Sequence, residues 1–197
     1  MVALRKHAPA RMTLTEFLAW DPEDQTGRSW QLIDGEPMAM APGSETHAAL
    51  QAEIGRLVGN HLIAGGNRCR LLSQPGIVPR VRANRNFRIP DLAVTCTPPA
   101  LGLMVPDPIL LIEILFPSNE AHTRANIWAY TTIPSVREIL AIHSTRIEAE
   151  LLRRNPDNTW PDEPATLTAA DTLTLASIDF AAPLGLLYRT TALAAGA

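Results

Sequence analysis

Hydrophobic positions change their period several times along the chain, and each change marks an element. In TLTEFLAW (13–20), Thr13 and Glu16 stand at the spacing of a capping box, which predicts a short helix. SWQLIDGEPMAMAP (29–42) alternates apolar and polar residues around Asp34-Gly35, a hairpin signal. In SETHAALQAEIGRLVGNHL (44–62) the period lengthens. His47, Leu50, Ile54, Leu57, Val58 and His61 fall on one stripe, so this is a core helix with Ser44 as its N-cap.

The segment 67–96 alternates again and reads as two or three strands, with a loop tip at Asn84 to Asn86. DPILLIEIL (107–115) is nearly continuous Ile and Leu, as expected of a central strand covered on both faces. Pro117 ends it, and Ser118 or Asn119 caps a helix over EAHTRANIWAY (120–130). REILAIHS and IEAELLRR form a strand pair, RNPDNTWPDEPA is a surface loop, and TLTLASIDFAAPLGLLYRTTAL gives a short strand and a closing helical turn. The order defines an α/β (α+β) fold, a mixed β-sheet flanked by helices with an N-terminal β-hairpin. One domain over 13–190 is expected, with tails at 1–12 and 191–197.

Composition narrows the class. With 197 residues, 46% of them apolar, the chain supports one sizeable core. No apolar run approaches a membrane span, and the first twelve residues lack the apolar stretch of a signal peptide. Cys69 and Cys96 match no metal spacing and no disulfide framework, which fits a reducing cytoplasm. A net charge of −3 gives no whole-molecule attraction to nucleic acid. Locally, however, Arg80, Arg82, Arg85 and Arg88 crowd the run before Asp91. They suit phosphate contacts, or else a charged edge that discourages strand addition. The chain has many arginines and one lysine, Lys6.

Two carboxylates stand where burial penalises them: Asp91 in RIPDLAVTC and Glu113 in PILLIEILFPSN. An ionised acid in a dry interior must be protonated, paired with a base or bound to a cation. Two acids converging from neighbouring strands would make a site for Mg²⁺ or Mn²⁺. A strand-start turn at Asp91 and an arginine partner for Glu113 are the structural alternative.

A PD at one strand start, followed by an acid inside the next apolar strand, resembles the core of the PD-(D/E)xK nuclease superfamily. Within it the chain resembles the restriction-endonuclease-like Uma-two family from about Thr13 to Tyr188. The resemblance is carried by TLTEFL, WQLIDGEPMAMAPGSETH, RIPDLAVTC, IEILFPSN and NIWAYTTIPSVREILAIHS. It implies a metal-dependent endonuclease hydrolysing phosphodiester bonds in DNA, with Asp91, Glu113 and the main-chain carbonyl of Ile114 as ligands. It places Glu36 and His47 near the site. A homodimer is compatible with cutting both strands.

The chain departs from that pattern in four places. The superfamily lysine two residues after the strand acid is Leu115, and its migrated position, four residues before Tyr130, is Asn126. The following serine is Phe116, and the acid expected near QLIDGE is Gln31. His122, Asn126 and Tyr130 share a helical face, with Asn126 suited to positioning water and Tyr130 to touching a phosphate; Arg124 lies on another face. His61 reads as structural. The alternative function is a catalytically impaired nuclease-fold protein that binds nucleic acid or acts as a regulatory partner. A metal-free two-carboxylate hydrolase lacks the aromatic sugar platform it would need.

Overall fold

The chain was analysed as a computed structural model that describes residues 11–21, 29–66, 68–117 and 120–196. Its centre is a six-stranded sheet in the order β3 (Arg70–Ser73), β4 (Leu92–Thr95), β5 (Pro108–Leu115), β6 (Glu138–His143), β7 (Glu148–Arg153), β8 (Ala165–Thr168). Neighbours are antiparallel except β5 and β6, which run parallel. Parallel strands need a crossover. Here it is α3 (Glu120–Tyr130), which covers one face of the sheet. The expected caps of α3, Ser118 and Asn119, lie outside the described residues.

Strand period 2 divides the sheet into two cores. Leu92, Val94, Leu110, Ile112, Ile114, Leu140 and Ile142 face α2 (Glu45–Ala64), meeting the predicted stripe at Leu50, Ile54 and Val58. Ala93, Leu111, Leu115, Ile139 and Ala141 face the other way, against Ile127 and Tyr130 of α3. All eight residues of β5 are buried or nearly so, as its unbroken Ile/Leu run demands. His61 hydrogen-bonds the carbonyl of Ile178 at 2.9 Å, the structural role its place on the stripe implied.

The N-terminal elements sit beside this sheet. α1 (Leu14–Ala19) starts from a formed capping box, with Thr13 and Glu16 bonded reciprocally. β1 (Trp30–Ile33) and β2 (Glu36–Ala39) pair as the predicted hairpin. Its Asp34-Gly35 turn has φ of 51° and 90°, the conformation that favours glycine. Asn86 ties that turn to the body, accepting from the Asp34 amide at 3.0 Å, and Leu32 bridges to Phe87. Met12 is buried in this cluster and donates its amide to Gly35, so packing begins one residue inside the segment expected to be a tail.

Three features differ from the sequence reading. The stretch between β3 and β4 holds only isolated bridges and one 3₁₀ turn (Ala83–Arg85), because its prolines and Gly76 interrupt pairing. The C-terminal segment forms β8 and a separate hairpin of β9 (Thr172–Leu175) and β10 (Phe180–Pro183), instead of one short strand. Cys69 and Cys96 are joined in a disulfide across the β3–β4 pair, one step beyond Arg70 opposite Thr95. They flank an edge strand too far apart in sequence for their pairing to be visible. The cysteine-based expectation of a reducing compartment therefore lapses. No described helix is long and apolar enough to cross a membrane.

Candidate active site

The antiparallel register of β4 and β5, Leu92 opposite Ile112, continues by one step to set Asp91 opposite Glu113. Both acids thus lie on the α3 side of the sheet, and both line a cleft of about 290 Å³ roofed by the β1–β2 hairpin. They are 6% and 5% exposed, and among the described residues neither is salt-bridged to an arginine. That removes the structural alternative for Glu113.

Asp91 is held from three sides. Its Oδ2 accepts the amide of Ile114 at 2.7 Å, its Oδ1 lies 3.2 Å from His47 Nε2, and its carbonyl accepts from Gln74 N and Gln51 Nε2, each at 3.0 Å. His47 reaches it from the first turn of α2, where its own amide donates to the Ser44 cap at 3.2 Å. Ile114 turns its side chain into the α2 core and so offers the cleft its main chain.

Glu113 Oε1 accepts the hydroxyl of Tyr130 at 2.8 Å. Burial pushes the Glu113 carboxyl well above the usual carboxylate range, and the charge of Asp91 pushes it further. Hydrogen bonds from Tyr130, Asn126 and the Asp91 amide oppose the rise without cancelling it. The Tyr130 hydroxyl is likewise raised, by burial and then by Glu113.

The face His122, Asn126, Tyr130 is the one α3 presents to the site. His122 lies at the mouth of the cleft, Asn126 on its wall and Tyr130 beneath Glu113. Asn126 Nδ2 donates to Gln31 Oε1 at 3.3 Å, while its Oδ1 is buried with no partner. The two positions where an acid and a lysine were expected therefore touch each other. A neutral amide pair occupies the place of a charged one. Phe116 also lines the cleft.

Other expected residues lie elsewhere. Glu36 is on the hairpin face that carries Gln31 and Met38, but two pairs nearer the turn, opposite Ile33, and exposed, outside the cleft wall. Arg82 is bound to Asp34 at 3.0 Å. Arg80 and Arg85 are exposed, with Arg85 beside the turn end of the hairpin. Arg124 grips Glu150 with two bonds of 2.9 Å and also holds Glu120, pairs that raise its pKa. The expectation that Arg88 and Tyr130 contact nucleic acid directly is corrected, since both side chains are buried beneath the site. The sequence hid the burial of Arg88, because an arginine in a run of arginines reads as surface.

A second His/acid group went unnoticed in the sequence. His143, Glu148 and Glu150 bring their ligand atoms within 4.8 Å of one another. Arg124 and Arg146 already compensate these acids, with Arg146 at 2.7 Å from Glu148. The group is an ion-pair network on β6 and β7.

The mixed sheet with one parallel pair, and the paired acids at the β4–β5 step, fit the restriction-endonuclease-like fold that the sequence resembles. The comparisons agree. Residues 14–184 match the model of the Uma2 family, described as "Putative restriction endonuclease", and the chain belongs to that family. An uncharacterized protein of Synechocystis sp. (slr1290) is 29% identical over 193 residues, 96% of this chain and 98% of its own. A crystal structure of a putative nuclease of the DUF820 family from Anabaena variabilis superposes with a TM-score of 0.73 at 16% identity, covering 90% of this chain and 97% of that one.

Proposed function

We propose that the cleft is the active site of a metal-dependent endonuclease that hydrolyses phosphodiester bonds in DNA. The observation that carries this reading is the pairing of Asp91 with Glu113 on one sheet face, buried, with neither carboxylate salt-bridged to an arginine among the described residues, and mutually repelling. Asp91 and Glu113 would hold a divalent cation, with His47 against Asp91; the ligand atoms of these three do not all come within 4.8 Å of one another, as those of His143, Glu148 and Glu150 do. Two carboxylates and the His47 imidazole offer hard oxygen donors and one nitrogen, and a dication would relieve the repulsion that raises Glu113. The histidine inclines the set toward Mn²⁺. When bound, the ion supplies Lewis-acid polarisation of the phosphate and an acidified water.

The chain's own residues do the rest. The Ile114 amide and His47 fix the orientation of Asp91, and Tyr130 fixes that of Glu113. Asn126 is anchored by Gln31 through its Nδ2 and lines the wall of the cleft. The hairpin roof, with Ile33, Met38 and Met40, excludes bulk water and strengthens each of these interactions. A second reading, a nuclease fold that binds nucleic acid without turnover, is favoured by one observation: the Gln31–Asn126 pair is uncharged, so it stabilises a developing oxyanion less than a lysine would.

The test is a titration of Mn²⁺ and Mg²⁺ followed by melting temperature, then incubation with plasmid and single-stranded DNA. A ligand present at 100 times its Kd stabilises by about 2.7 kcal/mol. The wild type gains this with Mn²⁺ and Glu113→Ala does not, and cutting by the wild type that Glu113→Ala lacks establishes the nuclease. Metal binding without cutting establishes the silent binder. Absence of any metal response removes the metal-dependent nuclease reading.

A further inference from the structure

Arg88 does not share the surroundings of the arginines that precede it. Arg80, Arg82 and Arg85 are exposed, whereas Arg88 is 4% exposed. Its backbone is locked to Ile77 by two bonds of 2.8 Å, and Ile77 belongs to the same cluster as Tyr130. Its Nε and NH1 are buried and have no hydrogen-bond partner among the described residues. Burial pulls its pKa below the ordinary guanidinium value, and nearby acids, Asp34 and Glu113, oppose that pull.

A guanidinium taken out of water with no carboxylate bound to it is a poor way to fill a core. A methionine or leucine of similar volume would pack there at less cost. The charge is also scarce locally. Arg82 is engaged by Asp34 and Arg124 by Glu150, and among the described residues no lysine or arginine lines the cleft.

We propose that Arg88 is a positioning residue that supplies the site's fixed positive charge from behind Glu113, favouring an anionic phosphoryl group in the cleft once the two acids are neutralised. The proposal deepens the phosphodiesterase reading and rests on it for the identity of the anion. Arg88 does not touch the substrate. It acts through the field it sets across Glu113 and Tyr130, in a medium where a charge several ångströms away still counts.

The experiment measures binding of inorganic phosphate to protein saturated with Mn²⁺, comparing the wild type with Arg88→Lys, Arg88→Met and Arg88→Gln. Removing the charge weakens phosphate binding by about tenfold, while Arg88→Lys stays within about threefold. On a DNA substrate the neutral variants raise KM more than they lower kcat, and Arg88→Lys restores it. A folded neutral variant that binds phosphate as the wild type does overturns the proposal. So does failure of both neutral variants to fold while Arg88→Lys folds, because the charge is then a requirement of folding alone. A wild type that binds Mn²⁺ and phosphate but leaves DNA intact defeats the nuclease reading and leaves the phosphate comparison in force.

Discussion

Glu113 shows what a single residue contributes and costs. Its folded-state pKa is raised above the ordinary value of 4.5, first by burial and then by Asp91. As pH rises past that value the unfolded chain releases the proton while the folded chain keeps it. Metal-free stability therefore falls with rising pH until the folded-state pKa is passed, then levels. Glu113→Gln is neutral at every pH and keeps an acceptor for Tyr130. We expect its melting temperature, relative to the wild type, to climb between pH 5 and pH 9 in the presence of a chelator. Each tenfold difference in proton affinity is about 1.4 kcal/mol, or roughly 3–5 °C for a domain of this size. A difference that stays constant with pH would show that Glu113 is no more protonated in the fold than outside it. The sequence exposed the two acids because carboxylates inside apolar runs are conspicuous. It did not expose Arg88, whose burial depends on where the loop between β3 and β4 passes under α3.

Elements decide which residues meet. The Ser44 cap both starts α2 and fixes the residue that reaches Asp91, since it accepts the amide of His47. Ser44→Ala should cost about 1 kcal/mol of stability and also weaken Mn²⁺ binding; loss of stability with metal affinity intact would separate the cap from the site. Gln31 and Asn126 meet across 95 residues of sequence. Asn126→Lys alone buries a cation against an amide, whereas Gln31→Glu with Asn126→Lys builds an ion pair. The double variant should be more stable than the sum of the singles by about 1 kcal/mol or more, and is the one expected to gain cleavage. Additive effects would mean that the two side chains do not act together. The hairpin, α2, β5 and α3 were legible because each has a strong local period or cap. The Gln31–Asn126 contact was not, since no local pattern encodes a hydrogen bond between a hairpin strand and a helix that far away.

At the scale of the molecule, the site lies at one end of β4 and the disulfide at the other. Asp91 and Cys96 are five residues apart, about 17 Å along a strand. The bridge closes a loop of sequence separation 27 and is expected to add about 3–4 kcal/mol by restricting the unfolded chain. Cys69→Ser with Cys96→Ser should lower the melting point accordingly and leave the Mn²⁺ response unchanged. A lost metal response would mean that order at the far end of β4 is needed to hold Asp91. The core arrangement followed from the alternation in the strands. The C-terminal hairpin and the disulfide did not, because strands of four residues are too short to establish a period and cysteine pairing is a matter of register.

Register also gives the acids a second effect. In a sheet with helices on both faces, apolar strands can slide past one another with little to tell right from wrong, because leucine and isoleucine are accepted on either side. Sliding β5 by one residue would drive Glu113 in among Leu50, Ile54 and Val58, with no water and no donor waiting there. The carboxylate proposed to hold the metal thus also acts as a proofreader of strand alignment, and the mispaired sheet is eliminated by the same charge.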